Sequence, residues 1–132
     1  MQPASDNISN QEDQNSLERV RAYVREHFAE ELNPAQMAAL AGYSKSHFQR
    51  MFHKAFGETL RDYIRRIRME TSACRLITAG DVSVTDIAYA CGFSSSQAFA
   101  RAFKAHYGIP PGQLRSEAGR RLIFREKWQN MQ

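Results

Sequence analysis

The sequence predicts an all-α protein with two helix-turn-helix subdomains joined by a long linker helix, about seven helices in all. Three observations support this prediction. Apolar residues recur at three- and four-residue steps along most of the chain. Asparagine or serine precedes several apolar segments and glycine follows several, as expected for helix caps. One pattern of residues also occurs twice, about 50 residues apart.

Residues 16–57 are assigned to the first subdomain, after a polar tail (residues 1–15) to which we give no functional role. The first helix is predicted from Ser16 by the apolar positions Leu17, Val20, Val24 and Phe28. The second helix is predicted to start at the N-cap Asn33 and Pro34 and to end at Gly42. Ser44 can cap a third helix, which runs to Gly57.

Residues 58–80 are assigned to the linker helix, because the stretch from Thr59 to Ala79 contains no glycine or proline. A helix of ~20 residues spans ~30 Å, which is close to the ~34 Å between successive major-groove faces of B-DNA. One chain is therefore expected to reach two adjacent groove segments as a monomer.

Residues 81–118 are assigned to the second subdomain, which repeats the first. At an offset of 50, the matching pairs are Met37 with Ile87, Ala38 with Ala88, Gly42 with Gly92 and Tyr43 with Phe93. At an offset of 51, they are Phe48 with Phe99, Arg50 with Arg101, Phe52 with Phe103, Phe56 with Tyr107 and Gly57 with Gly108. The change of offset indicates one residue inserted just after the turn. Ser83 is the candidate cap of the first helix in this repeat.

Length and charge limit the possible functions. The chain has 132 residues, which leaves no room for a separate large catalytic or sensory module. Its net charge of +4 is uneven, since residues 1–31 carry −4 and the remaining chain carries +8. The positive charge therefore coincides with the repeated motifs and permits a polyanionic partner.

The cysteines and the N-terminus bear on the cellular compartment. Cys74 and Cys91 lie in apolar helical context without CxxC or zinc-type spacing, which predicts buried free thiols rather than a disulfide. The sequence has no signal-peptide pattern, and its apolar runs are far shorter than the ~20 residues of a membrane span. We expect a cytoplasmic protein with no membrane partner.

The polar face of each recognition helix, the second helix of each helix-turn-helix, is the candidate DNA-reading surface. Opposite Phe48 lie Ser46, Gln49, Arg50 and His53, and opposite Phe99 lie Gln97, Ala100, Arg101 and Lys104. Arginine can donate two hydrogen bonds to guanine, and glutamine can bond adenine. Because Ala100 replaces Gln49, the second unit is expected to discriminate less between bases.

Phosphate contacts hold a protein in register on the duplex. We expect them from Ser44, Lys45, Lys54, Ser94, Ser95 and Lys104. The linker arginines Arg61, Arg65, Arg66 and Arg68 are weaker candidates, because an exposed arginine on a helix is usually only solvated. The aromatic stripe of the two recognition helices is predicted to be core rather than a base-stacking platform.

Several stretches of the chain resemble the AraC/XylS family of bacterial transcription regulators. They are Gly42-Tyr43-Ser44-Lys45, His47, Gln49-Arg50-Met51-Phe52, Tyr63-Ile64-Arg65, Asp86-Ile87-Ala88 through Gly92-Phe93, Arg101-Ala102-Phe103-Lys104 and Pro110-Pro111. The resemblance is strongest to small single-module members of the MarA and SoxS type and covers about residues 17–115. It implies a seven-helix fold, monomeric binding of double-stranded DNA at an asymmetric site, and activation through RNA polymerase.

The same resemblance implies the base-contacting positions, which are Ser46, Gln49, Arg50, Ser96, Gln97 and Arg101. Close relatives carry tryptophan in place of Ser46 and glutamine in place of Ser96. The preferred site is therefore expected to differ from theirs, since a serine cannot make a wide apolar contact with a thymine methyl group. Leu114 stands where the family often has tyrosine, which we interpret as a variation in the core.

The sequence supports three other functions to different degrees. An enzyme is disfavoured because the chain has no Gly-rich phosphate loop, G-x-S-x-G or HExxH motif, so no catalytic residue, metal site or cofactor is assigned. A non-specific architectural DNA binder remains an alternative. So does the DNA-binding half of a longer ligand-sensing regulator, with the C-terminal tail (residues 119–132) either linking to another domain or packing on the second subdomain.

Overall fold

The computed structural model describes residues 11–116 and residue 121. Between residues 11 and 116 the fold is all-α, as predicted, with six α-helices and one 3₁₀ segment. In chain order they are α1 (Gln11–His27), α2 (Pro34–Ala41), α3 (Lys45–Phe56), α4 (Leu60–Thr78), α5 (Val84–Ala90), α6 (Ser96–Tyr107) and the 3₁₀ segment (Pro111–Arg115). The chain divides into two compact units, and the boundary between Ile67 and Arg68 falls inside α4.

The predicted caps of the first unit are confirmed. The N-cap Asn33 accepts the backbone N–H of Ala35 on its side chain at 2.8 Å, and Pro34 opens α2. The Ser44 hydroxyl oxygen accepts the backbone N–H of His47 at 3.3 Å at the start of α3. Each helix ends at a glycine in the left-handed region, Gly42 with φ +82° and Gly57 with φ +74°.

The first helix is longer than the sequence predicted, because α1 begins at Gln11 and not at Ser16. Glu12 and Asp13 lie in its first turn, where negative charge interacts favourably with the helix dipole. Asp13 also accepts a hydrogen bond from the hydroxyl of Tyr43, which lies 30 residues further along the chain. Residues 11–15 thus belong to the first unit, and residues 1–10 of the predicted tail lie outside the described part.

The core of the first unit is built from α1, α2 and α3 together with the start of α4. Its fully buried side chains include Leu17, Val20, Val24, Phe48, Phe52 and Tyr63. The hydroxyl of Tyr63 accepts a hydrogen bond from Nη1 of Arg25 at 3.0 Å, so the one polar atom of this buried ring is satisfied. The aromatic stripe of α3 is core, as predicted.

The second unit repeats this construction with its own caps and core. The hydroxyl oxygens of Ser83 and Ser95 accept the backbone N–H groups of Asp86 and Ala98, each at 3.0 Å. The buried core residues include Met69, Leu76, Ile87, Phe99, Phe103 and Leu114, which confirms Leu114 as a core residue. The predicted tail, residues 119–132, lies outside the described residues except for residue 121.

The guanidinium of Arg115, at the end of the 3₁₀ segment, joins three parts of the second unit. It donates to the carbonyl oxygens of Leu76 at 3.1 Å and Ala79 at 2.9 Å, and also to that of Val82. The first two carbonyls belong to the last turn of α4 and the residue after it, where the regular helical hydrogen bonds end. The carbonyl of Ala79 also accepts the backbone N–H of Val82 at 3.0 Å. Arg115 therefore acts as a C-terminal cap of the linker helix.

Both cysteines are free thiols, as predicted, but their burial differs. Cys91 is fully buried, whereas Cys74 is exposed, so the prediction that both are buried was wrong. The buried face of α4 in this region contains Ser72 and Leu76, four residues apart. Cys74 lies two residues from each, about 200° around the helix, and therefore faces away from the core.

None of the helices in the described part of the chain is both long enough and apolar enough to cross a membrane.

Candidate nucleic-acid interface

The outer face of α3 carries the predicted base-reading residues of the first unit. Ser46, Gln49, Arg50 and His53 follow the spacing i, i+3, i+4 and i+7, and all four are exposed. Phe48 and Phe52, on the opposite face, are fully buried. Burial of one face therefore fixes which side chains α3 presents to solvent.

The outer face of α6 carries the same register of positions in the second unit. Gln97, Arg101 and Lys104 are exposed, while Ala100 is half-buried. Ser96, the first residue of α6, is also half-buried, so its hydroxyl is less accessible than that of Ser46. The second face thus offers fewer exposed groups that can bond a base edge, consistent with the expected weaker discrimination.

The two turns that lead into these helices contain equivalent backbone hydrogen bonds. The N–H of Tyr43 donates to the carbonyl of Ala38 at 2.9 Å, and the N–H of Phe93 donates to the carbonyl of Ala88 at 3.0 Å. The residue before each, Gly42 or Gly92, has positive φ. Such a turn favours glycine because other side chains are strained in the left-handed region.

The inserted residue of the second turn is visible at the helix cap. In the first unit Ser44 directly follows Tyr43 and caps α3, whereas in the second unit Ser94 intervenes between Phe93 and the cap Ser95. Both cap hydroxyl oxygens accept helix N–H groups, which leaves each hydroxyl hydrogen available for donation. The caps can therefore contact a phosphate while they hold the helix.

The predicted phosphate-contacting lysines are all exposed. Lys45 lies in the first turn of α3, Lys54 in its last turn, and Lys104 in the last turn of α6. Positive charge next to a helix N-terminus, as at Lys45, adds to the attraction of the helix dipole for an anion. Ser94 is exposed beside the N-terminus of α6.

The four linker arginines fall into two groups. Arg61 and Arg65 are exposed. Arg66 instead forms a two-pronged pair with Glu58, with Nε at 3.3 Å and Nη2 at 2.7 Å from the two carboxylate oxygens. Arg68 is half-buried, and this burial lowers its pKa. Arg61 and Arg65 are therefore the more accessible of the four for a phosphate contact.

The bond between Asp13 and Tyr43 is the feature of this region that sequence reasoning missed. Asp13 lies in the segment that was assigned to the polar tail, and the two residues are 30 positions apart. Periodicity and capping rules describe residues within one or two helical turns of each other, so they carry no signal for such a pair.

Among residues 11–116 and 121, no three His, Cys, Asp or Glu side chains are grouped so that they could hold a metal ion.

Two helix-turn-helix units, each with an exposed arginine on the outer face of its second helix, define a DNA-binding protein. A family model described as "Helix-turn-helix domain" matches residues 37–117, which include both turns and both recognition helices. The chain belongs to the AraC/XylS family of helix-turn-helix transcription regulators.

Curated relatives support this assignment. The chain is 35% identical to the regulatory protein SoxS of Escherichia coli over 102 residues, which cover 77% of this chain and 94% of SoxS. It is 36% identical to the transcriptional activator AarP of Providencia stuartii over 99 residues, which cover 75% of this chain and 73% of AarP. The chain spans only 34% of another relative, the uncharacterized regulator YbfP of Bacillus subtilis, at 32% identity over 76% of this chain.

Solved structures show the same fold. The DNA-binding domain of AdpA, solved in complex with a target DNA, has a TM-score of 0.71 at 30% identity and covers 76% of this chain and 89% of that chain. An AraC-type regulator from Chromobacterium violaceum has a TM-score of 0.70 at 26% identity, with 80% and 94% coverage.

Proposed function

We propose that this chain binds double-stranded DNA as a monomer, inserts α3 and α6 into adjacent segments of the major groove, and thereby regulates transcription at specific sites. The observation that carries the proposal is the equivalent position of two exposed arginines. Arg50 and Arg101 are each the sixth residue of a recognition helix that is buried on its other face.

The base-reading roles follow from side-chain chemistry. Arg50 and Arg101 are proposed to bond guanine, and Gln49 and Gln97 to bond adenine. Ser46 and Ser96 are proposed as further contacts, with Ser46 favoured by its exposure. Phosphate contacts are proposed for the exposed Lys45, Lys54, Lys104 and Ser94 and for the capping residues Ser44 and Ser95.

Monomeric binding is supported by the linker helix. α4 is one continuous helix of 19 residues, and it belongs to both units. Such a helix is ~28 Å long, comparable to the ~34 Å of one turn of B-DNA. A single chain that carries two recognition helices does not need a partner copy to contact two groove segments.

Activation through RNA polymerase in the cytoplasm completes the proposal. It is supported by similarity to AarP, which is described as a transcriptional activator.

The proposal is tested by selecting bound duplexes from a random-sequence pool with the purified chain. We expect two short enriched blocks about 10 base pairs apart, bound by one chain per duplex. Analytical ultracentrifugation of the complex measures the stoichiometry. No enrichment, or equal binding of scrambled duplex, would favour the non-specific architectural binder, and two chains per site would contradict the monomer.

A second candidate is that the chain is the DNA-binding part of a longer ligand-sensing regulator. It is supported by the match to YbfP and by the match to GlxA of Rhizobium meliloti, of which this chain spans 27% at 41% identity. The intact mass of the natural protein, measured after immunoprecipitation from its host, distinguishes the two. A mass well above 15.1 kDa would favour the longer regulator.

A further inference from the structure

Tyr43 contacts three parts of the first unit. It lies between Gly42, whose positive φ makes the turn, and Ser44, the N-cap of α3. Its hydroxyl donates to Oδ1 of Asp13 in the first turn of α1. Its ring centroid is 4.8 Å from that of His47 in the first turn of α3. One side chain therefore joins the start of α1 to the start of the recognition helix.

The hydrogen bond is of a strong kind, because the acceptor is a carboxylate. Burial, the hydrogen bond to Asp13 and the negative charge of Asp13 together raise the pKa of Tyr43 to about 12, with burial the largest of the three causes. The phenol consequently keeps the proton that it donates throughout the physiological pH range.

The first turn of α1 is not needed to fill the hydrophobic core. The inward-facing residues of α1 are Leu17, Val20 and Val24, all of which follow that turn. Asp13 is nevertheless half-buried and bonded to Tyr43. The contribution of this turn to the unit is thus a polar contact at the entrance of α3.

The second repeat provides an internal comparison. Phe93 occupies the position of Tyr43 and has no hydroxyl. Its ring centroid lies 5.1 Å from that of the buried Phe99, so apolar packing holds this turn. Tyr43→Phe would make the first turn chemically similar to the second while keeping the ring.

We infer that Asp13 and Tyr43 form a positioning pair that fixes the start of α3 and so increases the discrimination between DNA sequences by the first unit. The inference rests on the proposed function. Hydrogen bonds to base edges require close alignment of Gln49 and Arg50, whereas contacts between lysine and phosphate tolerate small displacements. Loosening the turn therefore penalises specific binding more than non-specific binding.

The test uses Tyr43→Phe, Asp13→Ala and the double variant of the full chain, with Tyr23→Phe as the matched control. Tyr23 is also a half-buried tyrosine of the first unit, but its ring stacks on His27 at 4.1 Å, within α1. Affinity is measured for the duplex selected by the wild type and for the same duplex with the block under α3 scrambled. Thermal unfolding confirms that each variant is folded.

We expect each single variant to reduce the ratio of the two affinities severalfold and by no more than about tenfold. The value of the hydrogen bond in folding sets this upper limit, and only the part that orders the start of α3 before binding affects the affinity. The double variant is expected to lose no more than either single variant, because both remove the same bond. Affinity for the scrambled duplex is unchanged in Tyr43→Phe and equal or higher in Asp13→Ala, which removes a negative charge. Tyr23→Phe keeps the wild-type ratio.

A wild-type ratio in Tyr43→Phe, or an equal loss of affinity for both duplexes, would overturn the inference and leave the proposed function intact. Additive losses in the double variant would also overturn it. A wild-type chain that binds the two duplexes equally would overturn the proposed function and this inference with it.

Discussion

Arg50 and Arg101 occupy the same position in the two recognition helices, the sixth residue of α3 and the sixth of α6, and both side chains are exposed. In each helix the residue two positions earlier is a fully buried phenylalanine, Phe48 or Phe99. Two residues correspond to 200° of helical rotation, so burial of the ring directs the arginine outward. The repeated sequence thus repeats a surface as well as a core.

Arg50→Ala is expected to relax the base preference under the first unit and to cost ~1 to 3 kcal/mol on the preferred duplex, the value of a bidentate contact with a base. Arg101→Ala is the matched variant and should act on the other block of the site. Selection from a random pool with each variant measures the effect. An equal loss of affinity on every sequence would contradict the base-reading role of Arg50.

The affinity for DNA is expected to fall steeply with salt, because lysine and arginine side chains release counterions from the phosphates. If ~6 to 10 phosphates are contacted, the loss between 50 and 200 mM salt is roughly 10³ to 10⁵. Fluorescence anisotropy with labelled duplex measures it. Lys45→Ala should reduce the slope of log affinity against log salt concentration by about 1, the value for one phosphate contact. If the affinity of the wild type did not depend on salt, this mode of binding would be excluded.

Arg65→Pro is expected to interrupt α4 and to abolish simultaneous binding of both halves of the site. Proline removes one helical hydrogen bond and clashes with the preceding turn, at a cost of ~3 kcal/mol or more. Arg65 is exposed, so Arg65→Ala is a control that removes the charge and keeps the helix. Footprinting on the selected duplex provides the measurement. An unchanged footprint in Arg65→Pro would show that linker continuity is not required.

Arg115→Met is expected to lower the free energy of unfolding by ~2 kcal/mol, because three backbone carbonyls lose a charged donor. Arg115→Lys is expected to recover only part of this loss, since an ammonium group cannot reproduce the planar fork of a guanidinium. Urea unfolding followed by circular dichroism measures both variants. Equal stability of Arg115→Met and the wild type would refute the capping role.

Two tyrosines are expected to lose their hydroxyl protons at a higher pH than an ordinary tyrosine. Burial raises the pKa of Tyr43 and of Tyr107 to about 12, with Asp13 contributing at the first and the charge of Glu70 at the second. Because the folded state then holds protons that the unfolded state releases at its pKa of about 10, the contribution of these two tyrosines to the free energy of unfolding is fully present below pH ~10 and is lost as the pH rises towards 12.

Tyrosinate absorbance during alkaline titration measures this prediction. Tyr43→Phe and Tyr107→Phe should each remove one tyrosine ionisation from the high-pH end of the titration curve. Tyr89→Phe deletes a phenol that is 55% exposed and controls for the loss of one chromophore. If the high-pH ionisation were unchanged in Tyr43→Phe, its assignment to Tyr43 would be wrong.

The sequence alone determined the helices apart from the start of α1, several of their caps, and the two exposed polar faces. Asn33, Ser44, Ser83 and the glycines after α2, α3 and α6 act within one helical turn, where backbone hydrogen bonds obey local rules. The buried and exposed faces of α3 and α6 follow equally from the 3.6-residue period. Because the motif occurs twice, the predicted role of each repeated position is supported by two residues instead of one.

Tertiary structure alone decided the contacts between residues distant in the chain. The start of α1 at Gln11 is accompanied by the bond of Asp13 to Tyr43, Arg66 is engaged by Glu58, and Arg115 reaches the end of α4. Cys74 is exposed because the core meets the other face of its helix. These outcomes depend on which surfaces pack together, and the periodicity of a single helix does not contain that information.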